Sequence, residues 1–241
     1  DRNIEEGLRH RYSLNYFSFS MFSFTNIHAS VNYTKSLNNV SSSSELIGVD
    51  VISFPINSEF ANESLAGSFR YGKTYKHLKT NFSTNISHAI FNNIVNDEKI
   101  KSKSLTHSYQ GSVSTKFKKA PNFKLGYQKS FTDYSKTGSS TDRPFGDIEV
   151  VFLKDFILNA DYSYYNYKND ENTVKNTYSF LNAELFYQKL DSSWEFILSA
   201  KNLTDNTSIN RDSYNETFDS NSSSLYFVQP RTFLFTKKYN L

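Results

Sequence analysis

Hydrophobic and polar residues alternate along much of this chain. In the segment 123–131, Phe123, Leu125, Tyr127 and Phe131 fall on one side, whereas Lys124, Gly126, Gln128 and Ser130 fall on the other. Successive side chains of a strand point to opposite faces, so this period of two residues predicts a β-strand. The same alternation recurs in ranges 27–34, 109–117, 156–164, 181–188 and 194–201. The pattern predicts a single all-β domain over residues 1–241, with about eleven strands.

Short and long connections alternate between these strands. Short turns are predicted near residues 25–26, 75–78, 118–122, 154–155 and 191–193, and long polar loops at about 37–51, 92–103, 135–146, 169–176 and 203–224. The segment 54–75 is predicted to be the longest strand. Outer-membrane barrels have short periplasmic turns and longer extracellular loops. The sequence therefore predicts a transmembrane, antiparallel, up-and-down β-barrel located in the bacterial outer membrane, in contact with its lipid.

Composition supports a sheet with one apolar and one wet face. Only 37% of the residues are hydrophobic, the mean hydropathy is -0.59, and aromatic residues, mostly Phe and Tyr, make up 17%. The apolar runs are far shorter than the roughly 20 residues that a membrane-spanning helix needs. The net charge of +3 is small and scattered, so nucleic acid is not an expected partner. The chain has no Cys, which excludes disulfides and thiolate sites.

The polar sides of the predicted strands would line the interior of the barrel. The candidate lumen-facing residues are Arg70, Lys116, Asn159, Asp161, Asn182, Glu184 and Lys201. They either line a water-filled or plugged interior or merely satisfy a polar wall. The second interpretation is favoured for any single residue, because barrel interiors are generally polar.

Two motifs near the C-terminus resemble a known family. The first is the run from Ala200 to Asn206, with the sequence AKNLTDN, and the second is the run from Val228 to Phe235, with the sequence VQPRTFLF. They resemble the end of TonB-dependent receptors, of the kind abundant in Bacteroidota. In that family an Asn-Leu-Phe/Thr-Asp element closes the penultimate strand, and a Pro-Arg or Gly-Arg pair opens the last one. The motif residues here are Asn202, Leu203, Asp205, Pro230 and Arg231.

The resemblance implies a barrel of 22 strands with an N-terminal plug domain and a TonB box. About eleven strands are half of such a barrel, and an odd number cannot close as a simple up-and-down barrel. The chain is therefore expected to be a fragment or a split partner, with a secretory signal upstream. The expected partners are the remaining half of the barrel, the plug domain and TonB. The function that the resemblance implies is uptake of a nutrient ligand across the outer membrane, with no cofactor.

Other functions remain open at this stage. Some smaller outer-membrane barrels are lipases, but the five histidines, His10, His28, His77, His88 and His107, have no carboxylate at a spacing typical of an orienting partner. No metal-binding motif is present either, so we expect neither an enzyme nor a metal site. One alternative is a structural or adhesive outer-membrane barrel without energised transport. A second is a soluble all-β binding domain, such as a lectin-like sandwich.

Overall fold

The computed structural model of the chain describes residues 7–37, 39–47, 50–58, 60–96, 98–118, 120–134, 137–171, 174–189, 192–215 and 220–239. The described residues form fifteen strands: β1 (Leu8–Ser20), β2 (Thr25–Leu37), β3 (Asn39–Ile47), β4 (Asp50–Ser58), β5 (Asn62–Tyr75), β6 (Leu78–Val95), β7 (Glu98–Thr115), β8 (Asn122–Tyr134), β9 (Gly138–Phe152), β10 (Phe156–Asn169), β11 (Lys175–Tyr187), β12 (Trp194–Lys201), β13 (Ser208–Asn215), β14 (Ser220–Phe227) and β15 (Thr232–Tyr239). None of the described residues forms a helix that is long and apolar enough to span a membrane.

Eleven strands form one continuous antiparallel path, in the order β1-β2-β5-β6-β7-β8-β9-β10-β11-β12-β15. Two hairpins interrupt the chain order. The hairpin β3–β4 joins the same sheet through a short parallel pairing of β3 with β6, and β13–β14 forms a separate two-stranded sheet. The predicted all-β fold is therefore confirmed, and the predicted number of about eleven strands matches the main path, although the described residues form fifteen strands in total.

The register gives the sheet two chemically distinct faces. Paired residues on neighbouring antiparallel strands point to the same side, and the pairs Val113↔Leu125, Leu158↔Leu185 and Leu198↔Phe235 join apolar residues. We call this side the apolar face. The pairs Gln110↔Gln128, Asp161↔Asn182 and Glu184↔Ser199 lie on the opposite side, which we call the polar face.

In a soluble sheet the apolar face is buried and the polar face is exposed to water. Here the apolar face is the exposed one. On the apolar face, Leu125 is 69% exposed and Phe235 is 68% exposed. Among the described residues, the only buried hydrophobic side chains are Ala89 and Ile197, and the register places both on the polar face. The polar Ser112 is also buried there. The polar face is thus the more buried side of the sheet, and no described strand packs against the apolar face.

The ends of the apolar face carry aromatic and charged side chains. We call the end of the sheet where the short turns lie, such as the turn between β9 and β10, the short-turn end. There, Trp194 packs against Tyr239 with ring centroids 4.6 Å apart, and Phe156 packs against Tyr187 at the same distance. At the opposite end, the register places charged residues on this face: Lys35 pairs with Glu63 at 3.0 Å, and Lys99, Lys101 and Lys103 alternate along β7. The apolar surface is therefore a band with an aromatic border and a charged border.

The strands are staggered in a regular direction. A single row of paired residues can be followed from the first residue of β2 to β11: Thr25, Lys73, Thr80, Val113, Leu125, Gly146, Tyr162 and Leu181. β11 continues for six residues beyond Leu181 to end at Tyr187. Six residues span roughly 20 Å, and the seven steps between strands roughly 34 Å, which corresponds to a tilt of about 30°. Such a stagger approaches the 35–45° tilt that barrel closure requires.

The sheet is not closed. β1 pairs only with β2, and β15 pairs only with β12, so each has an unpaired edge among the described residues. In the antiparallel order both edge strands run toward the short-turn end. Closure through β1 and β15 alone would therefore need a parallel pairing, whereas all neighbours in the main path are antiparallel.

Where the structure describes them, the predicted short turns lie at or next to strand ends, and the loop 169–176 falls between β10 and β11, but most of the other long loops were predicted wrongly. Residues 38, 48, 49, 97, 119, 135, 136, 172, 173 and 191 of these predictions lie outside the described residues. The ranges 37–51 and 203–224 contain β3, the start of β4, β13 and part of β14, and residues 216–219 lie outside the described residues. The ranges 92–103 and 135–146 are largely strand, since β6, β7 and β9 extend into them. The segment 54–75 is two strands, β4 and β5. Backbone hydrogen bonding continues in these places although apolar alternation stops.

Candidate binding face

Six of the seven candidate lumen residues lie close together on the polar face. Asn159 pairs with Glu184 and Asp161 pairs with Asn182 across β10 and β11. Lys201 on β12 continues this patch, and Lys116 follows directly after β7 and lines the same depression as Asn159 and Asp161. Arg70 also lies on the polar face, but on β5, opposite His28 and Ser83 and away from the other six.

Hydrogen bonds and ion pairs connect these residues from one strand to the next. The Asn182 amide donates to Asp161 at 2.9 Å. The Lys201 ammonium donates to Glu184 at 2.8 Å, and the Ser199 hydroxyl donates to the same carboxylate at 3.1 Å. Because both side chains of the Lys201–Glu184 pair are partly exposed, water screens the pair and we expect at most about 1 kcal/mol from it.

Further polar residues extend this network onto β8 and β9. Lys124 forms an ion pair with Asp147 at 2.8 Å, and the Asn122 amide donates to Glu149 at 3.2 Å. These four residues were missed from the sequence, although those of β8 follow the alternation that marked the other candidates. With Lys116, Asn159 and Asp161 they line a shallow depression of ≈ 450 Å³. The depression offers carboxylates, ammonium groups and amides to a polar ligand.

A second group on the polar face is aromatic. Arg143 and Phe145 on β9, Tyr165 on β10, and Tyr178 and Phe180 on β11 form what we call the aromatic–arginine cluster. Tyr165 stacks on Tyr178 with centroids 4.7 Å apart, and Phe180 approaches both of these rings, at 6.3 Å from Tyr165 and 5.8 Å from Tyr178. The cluster was also missed. Its signal in the sequence is that aromatic residues occupy polar-face positions of the alternation.

The guanidinium of Arg143 lies between two of these rings. Its central carbon is 5.2 Å from the Tyr165 centroid and 5.3 Å from the Phe145 centroid. It donates to the Gln128 amide oxygen at 3.4 Å and to the Ser163 hydroxyl at 3.3 Å. Both acceptors are neutral, and the Nε of Arg143 has no partner.

Phe145 is held flat against the sheet by a glycine. It pairs with Gly126 of β8, and a Cβ atom added at Gly126 would lie 2.2 Å from Cζ of the Phe145 ring. The ring therefore occupies the space above the glycine. In this position Phe145 contacts two cations, because the ammonium of Lys124 lies 5.2 Å from its centroid and Arg143 lies on it as well.

The family motif forms a compact turn after β12. Asn202 is 5% exposed and has a φ of 52°, in the left-handed region that Asn tolerates better than most residues. Its amide nitrogen donates to the carbonyls of Asn206 and Gln229, at 2.8 and 2.9 Å. Its amide oxygen accepts from the backbone N–H of Asn206 at 3.1 Å and from the hydroxyl of Thr204 at 3.3 Å.

The other motif residues support the same turn. Leu203 donates its backbone N–H to the carbonyl of Leu181, and Asp205, with a φ of 59°, donates its backbone N–H to the carbonyl of Asn202. Arg231 lies 3.6 Å from the Asp205 carboxylate, and the Pro230 carbonyl accepts from the hydroxyl of Thr232, the first residue of β15. All five motif residues therefore lie where β12 ends and β15 begins.

Three of the histidines contact backbone carbonyls or an aromatic ring. His77 and His88 hydrogen-bond through Nδ1 to the backbone carbonyls of Lys116 and Ser104. His107 stacks on Phe131 with centroids 4.7 Å apart. Within the described ranges, no three His, Asp or Glu side chains are grouped so that they could hold a metal ion.

No protein-family model, curated protein or solved structure matches this chain.

Proposed function

We propose that the chain forms part of the wall of an outer-membrane β-barrel, in a receptor of the TonB-dependent type that takes up a nutrient ligand. The observation that carries the membrane assignment is the apolar face, where residues such as Leu125 and Phe235 are exposed and no described element covers them. Exposed apolar areas of this extent indicate contact with lipid or protein. Lipid is the favoured contact because the band has an aromatic border, as in membrane barrels.

The stagger of the strands supports a barrel rather than an open, flat sheet. A tilt of about 30° over eight strands approaches what barrel closure needs. The open edges β1 and β15 favour completion by further antiparallel strands, because unpaired backbone groups within a bilayer each cost several kcal/mol. The remaining strands of the barrel are therefore a proposed partner.

The assignment to the TonB-dependent type rests on the resemblance at the C-terminus. The residues that carry it, Asn202, Leu203, Asp205, Pro230 and Arg231, make one hydrogen-bonded junction between β12 and β15. In the proposed receptor, a plug domain fills the interior, a ligand binds against the polar face or the long-loop end, and TonB supplies the energy for release inward. The receptor catalyses no reaction.

Membrane insertion is tested with the chain produced together with the remaining strands of the barrel in a Gram-negative host, because the open edges β1 and β15 need partners in the bilayer. We expect it in the outer-membrane fraction, soluble only with detergent, and with an electrophoretic mobility that changes on boiling, because folded membrane barrels resist detergent unfolding. A monodisperse particle in plain buffer, with Leu125 protected from solvent, would support the soluble binding domain instead.

Energised transport needs a separate experiment. Cells that produce the complete receptor would be compared in backgrounds with and without TonB, using a panel of labelled iron chelates, glycans, peptides and cobalamin. We expect uptake of at least one compound to require TonB. If the protein inserts but uptake is the same in both backgrounds, the alternative of a barrel without energised transport is correct.

A further inference from the structure

Four lysines lie along the charged border of the apolar face. The register places Lys101 and Lys103 of β7, Lys168 of β10 and Lys175 of β11 on this face, and we call these four residues the lysine belt. Lys101, Lys103 and Lys175 are exposed, and Lys168 is half-buried. The two halves of the belt, on β7 and on β10 with β11, are three strand steps apart, or roughly 14 Å. Cationic groups thus extend along the border rather than gather at one point.

The protein does not neutralise these charges with carboxylates of its own. Among the described residues, no carboxylate forms an ion pair with Lys101, Lys168 or Lys175. Asp142, on the same face of β9, is held by Lys129 at 3.2 Å. Lys168 and Lys175 are direct cross-strand partners, and like charges in such a pair repel each other. An anion between the two ammonium groups would remove this repulsion.

The lysines of the belt lie at nearly the same distance from the short-turn end. Counted along its own strand, each of Lys103, Lys168 and Lys175 is 12 residues from the short-turn end of that strand, and Lys101 is 14 residues from it. These strand ends are Thr115, Phe156 and Tyr187. With a tilt of 30–40°, 12 residues rise roughly 30 to 34 Å. The hydrocarbon core of a bilayer is about 30 Å thick, so the belt reaches one headgroup layer when the aromatic border lies at the other.

An apolar surface adjoins the belt on the same strands. Leu105 follows Lys103 on the apolar face of β7, and Tyr162, which is 42% exposed, lies on this face of β10 between Lys168 and the short-turn end. A soluble phosphate compound would gain nothing from this surface. A lipid would gain from both parts, because its acyl chains lie on the apolar residues while its headgroup meets the ammonium groups.

We propose that the lysine belt docks anionic lipids of the outer leaflet, with their headgroup phosphates between the lysine ammonium groups and their acyl chains on the apolar face. Lysine binds phosphate as a mobile point charge on a long stem, and lysines near a membrane surface attract anionic headgroups. This inference rests on the proposed function and names the lipid class that the outward face of the barrel would bind.

The test uses the chain together with the remaining strands of the barrel, purified in non-ionic detergent and titrated with lipid by native mass spectrometry. The probes are dioleoyl phosphatidic acid and dioleoyl phosphatidylcholine, which share their acyl chains, whereas only the first has a net negative headgroup. We expect phosphatidic acid to bind about tenfold more tightly. Lys168→Gln with Lys175→Gln should lower this preference about threefold, and adding Lys101→Gln and Lys103→Gln should lower it further. Lys168→Arg with Lys175→Arg should retain it, because arginine keeps the charge.

Lys79→Gln with Lys118→Gln is the matched control, because it removes the same charge from two exposed lysines near the short-turn end, outside the belt. It should leave both affinities unchanged. Equal binding of the two lipids, or an unchanged preference in the fourfold variant, would overturn the docking surface. Displacement of the lipid by an equal concentration of glycerol 3-phosphate would also overturn it, because the belt would then bind soluble phosphate compounds.

The change in mobility on boiling is recorded for every sample. A folded, membrane-inserted barrel without the preference contradicts only the docking surface, whereas failure to insert contradicts the proposed function.

Discussion

The side-chain amide of Asn202 donates a hydrogen bond to the backbone carbonyl of Gln229, 27 residues later in the chain, at 2.9 Å. This bond ties the end of β12 to the segment that leads into β15, across the whole β13–β14 hairpin. The same side chain also donates to the carbonyl of Asn206 and accepts from its backbone N–H. One buried amide thus fixes the position at which the last strand enters the sheet.

Replacing Asn202 should destabilise the sheet measurably. Asn202→Ala leaves buried backbone groups unpaired and places alanine at a φ of 52°, so we expect the free energy of unfolding to fall by about 2 to 4 kcal/mol. Glycine tolerates that φ, so the decrease in Asn202→Gly should be about 1 kcal/mol smaller. Urea unfolding in lipid vesicles measures both. If the two variants unfold at the wild-type midpoint, the bonds of this amide contribute nothing to stability.

The faces of the sheet were predictable from the sequence, because a period of two residues assigns each side chain to a side. Leu125 and Phe156 were placed on the apolar side and Asn159 and Asp161 on the polar side, as the register has them. The extent of the strands was not predictable in the same way. In β7, Lys99, Lys101 and Lys103 alternate with Ile100 and Ser102, so the apolar signal disappears while the backbone ladder with β6 continues.

The alternation of apolar and polar residues could not predict which side chains of the polar face contact one another. Alternation places Asp161 and Asn182 on the same side, but only the register makes them direct neighbours, and shifting a strand by two residues would keep the face and change the partner. The aromatic–arginine cluster was missed for a related reason. Phe145 and Tyr165 occupy polar-face positions, where a binary pattern treats them as exceptions.

A charge on the apolar face should cost far more than a charge on the polar face. Ile86 and Ser87 are adjacent on β6, both exposed, and point to opposite sides. In a bilayer, Ile86→Arg should lower the free energy of unfolding by about 2 to 4 kcal/mol if it lies near the midplane. Ser87→Arg should change it by less than about 1 kcal/mol. Urea titrations in vesicles measure the two variants, and similar losses for both would contradict the lipid-facing assignment.

A side chain at Gly126 should disturb the polar face through Phe145. A Cβ atom there would lie 2.2 Å from the Phe145 ring, so the ring must move away from the sheet. We expect Gly126→Ala to cost about 1 to 3 kcal/mol, in the range of other overpacked sites. Gly111→Ala is the control, because a Cβ atom at Gly111 meets nothing within 4 Å. The prediction fails if both variants unfold together in the same urea titration.

Trp194 is the only tryptophan of the chain, so its fluorescence reports on one depth in the proposed membrane. It lies at the short-turn end of the apolar face, against Tyr239 and with the ammonium of Lys237 3.9 Å from its ring centroid. Tryptophan prefers the interface between headgroups and acyl chains, and a lysine beside it can extend its ammonium toward water.

In vesicles of brominated lipids, bromine near the headgroup end of the acyl chains should therefore quench Trp194 more strongly than bromine near the methyl end. Quenching that is strongest near the methyl end would place this border at the bilayer centre. The absence of quenching by any of these lipids would show that the apolar face meets something other than lipid.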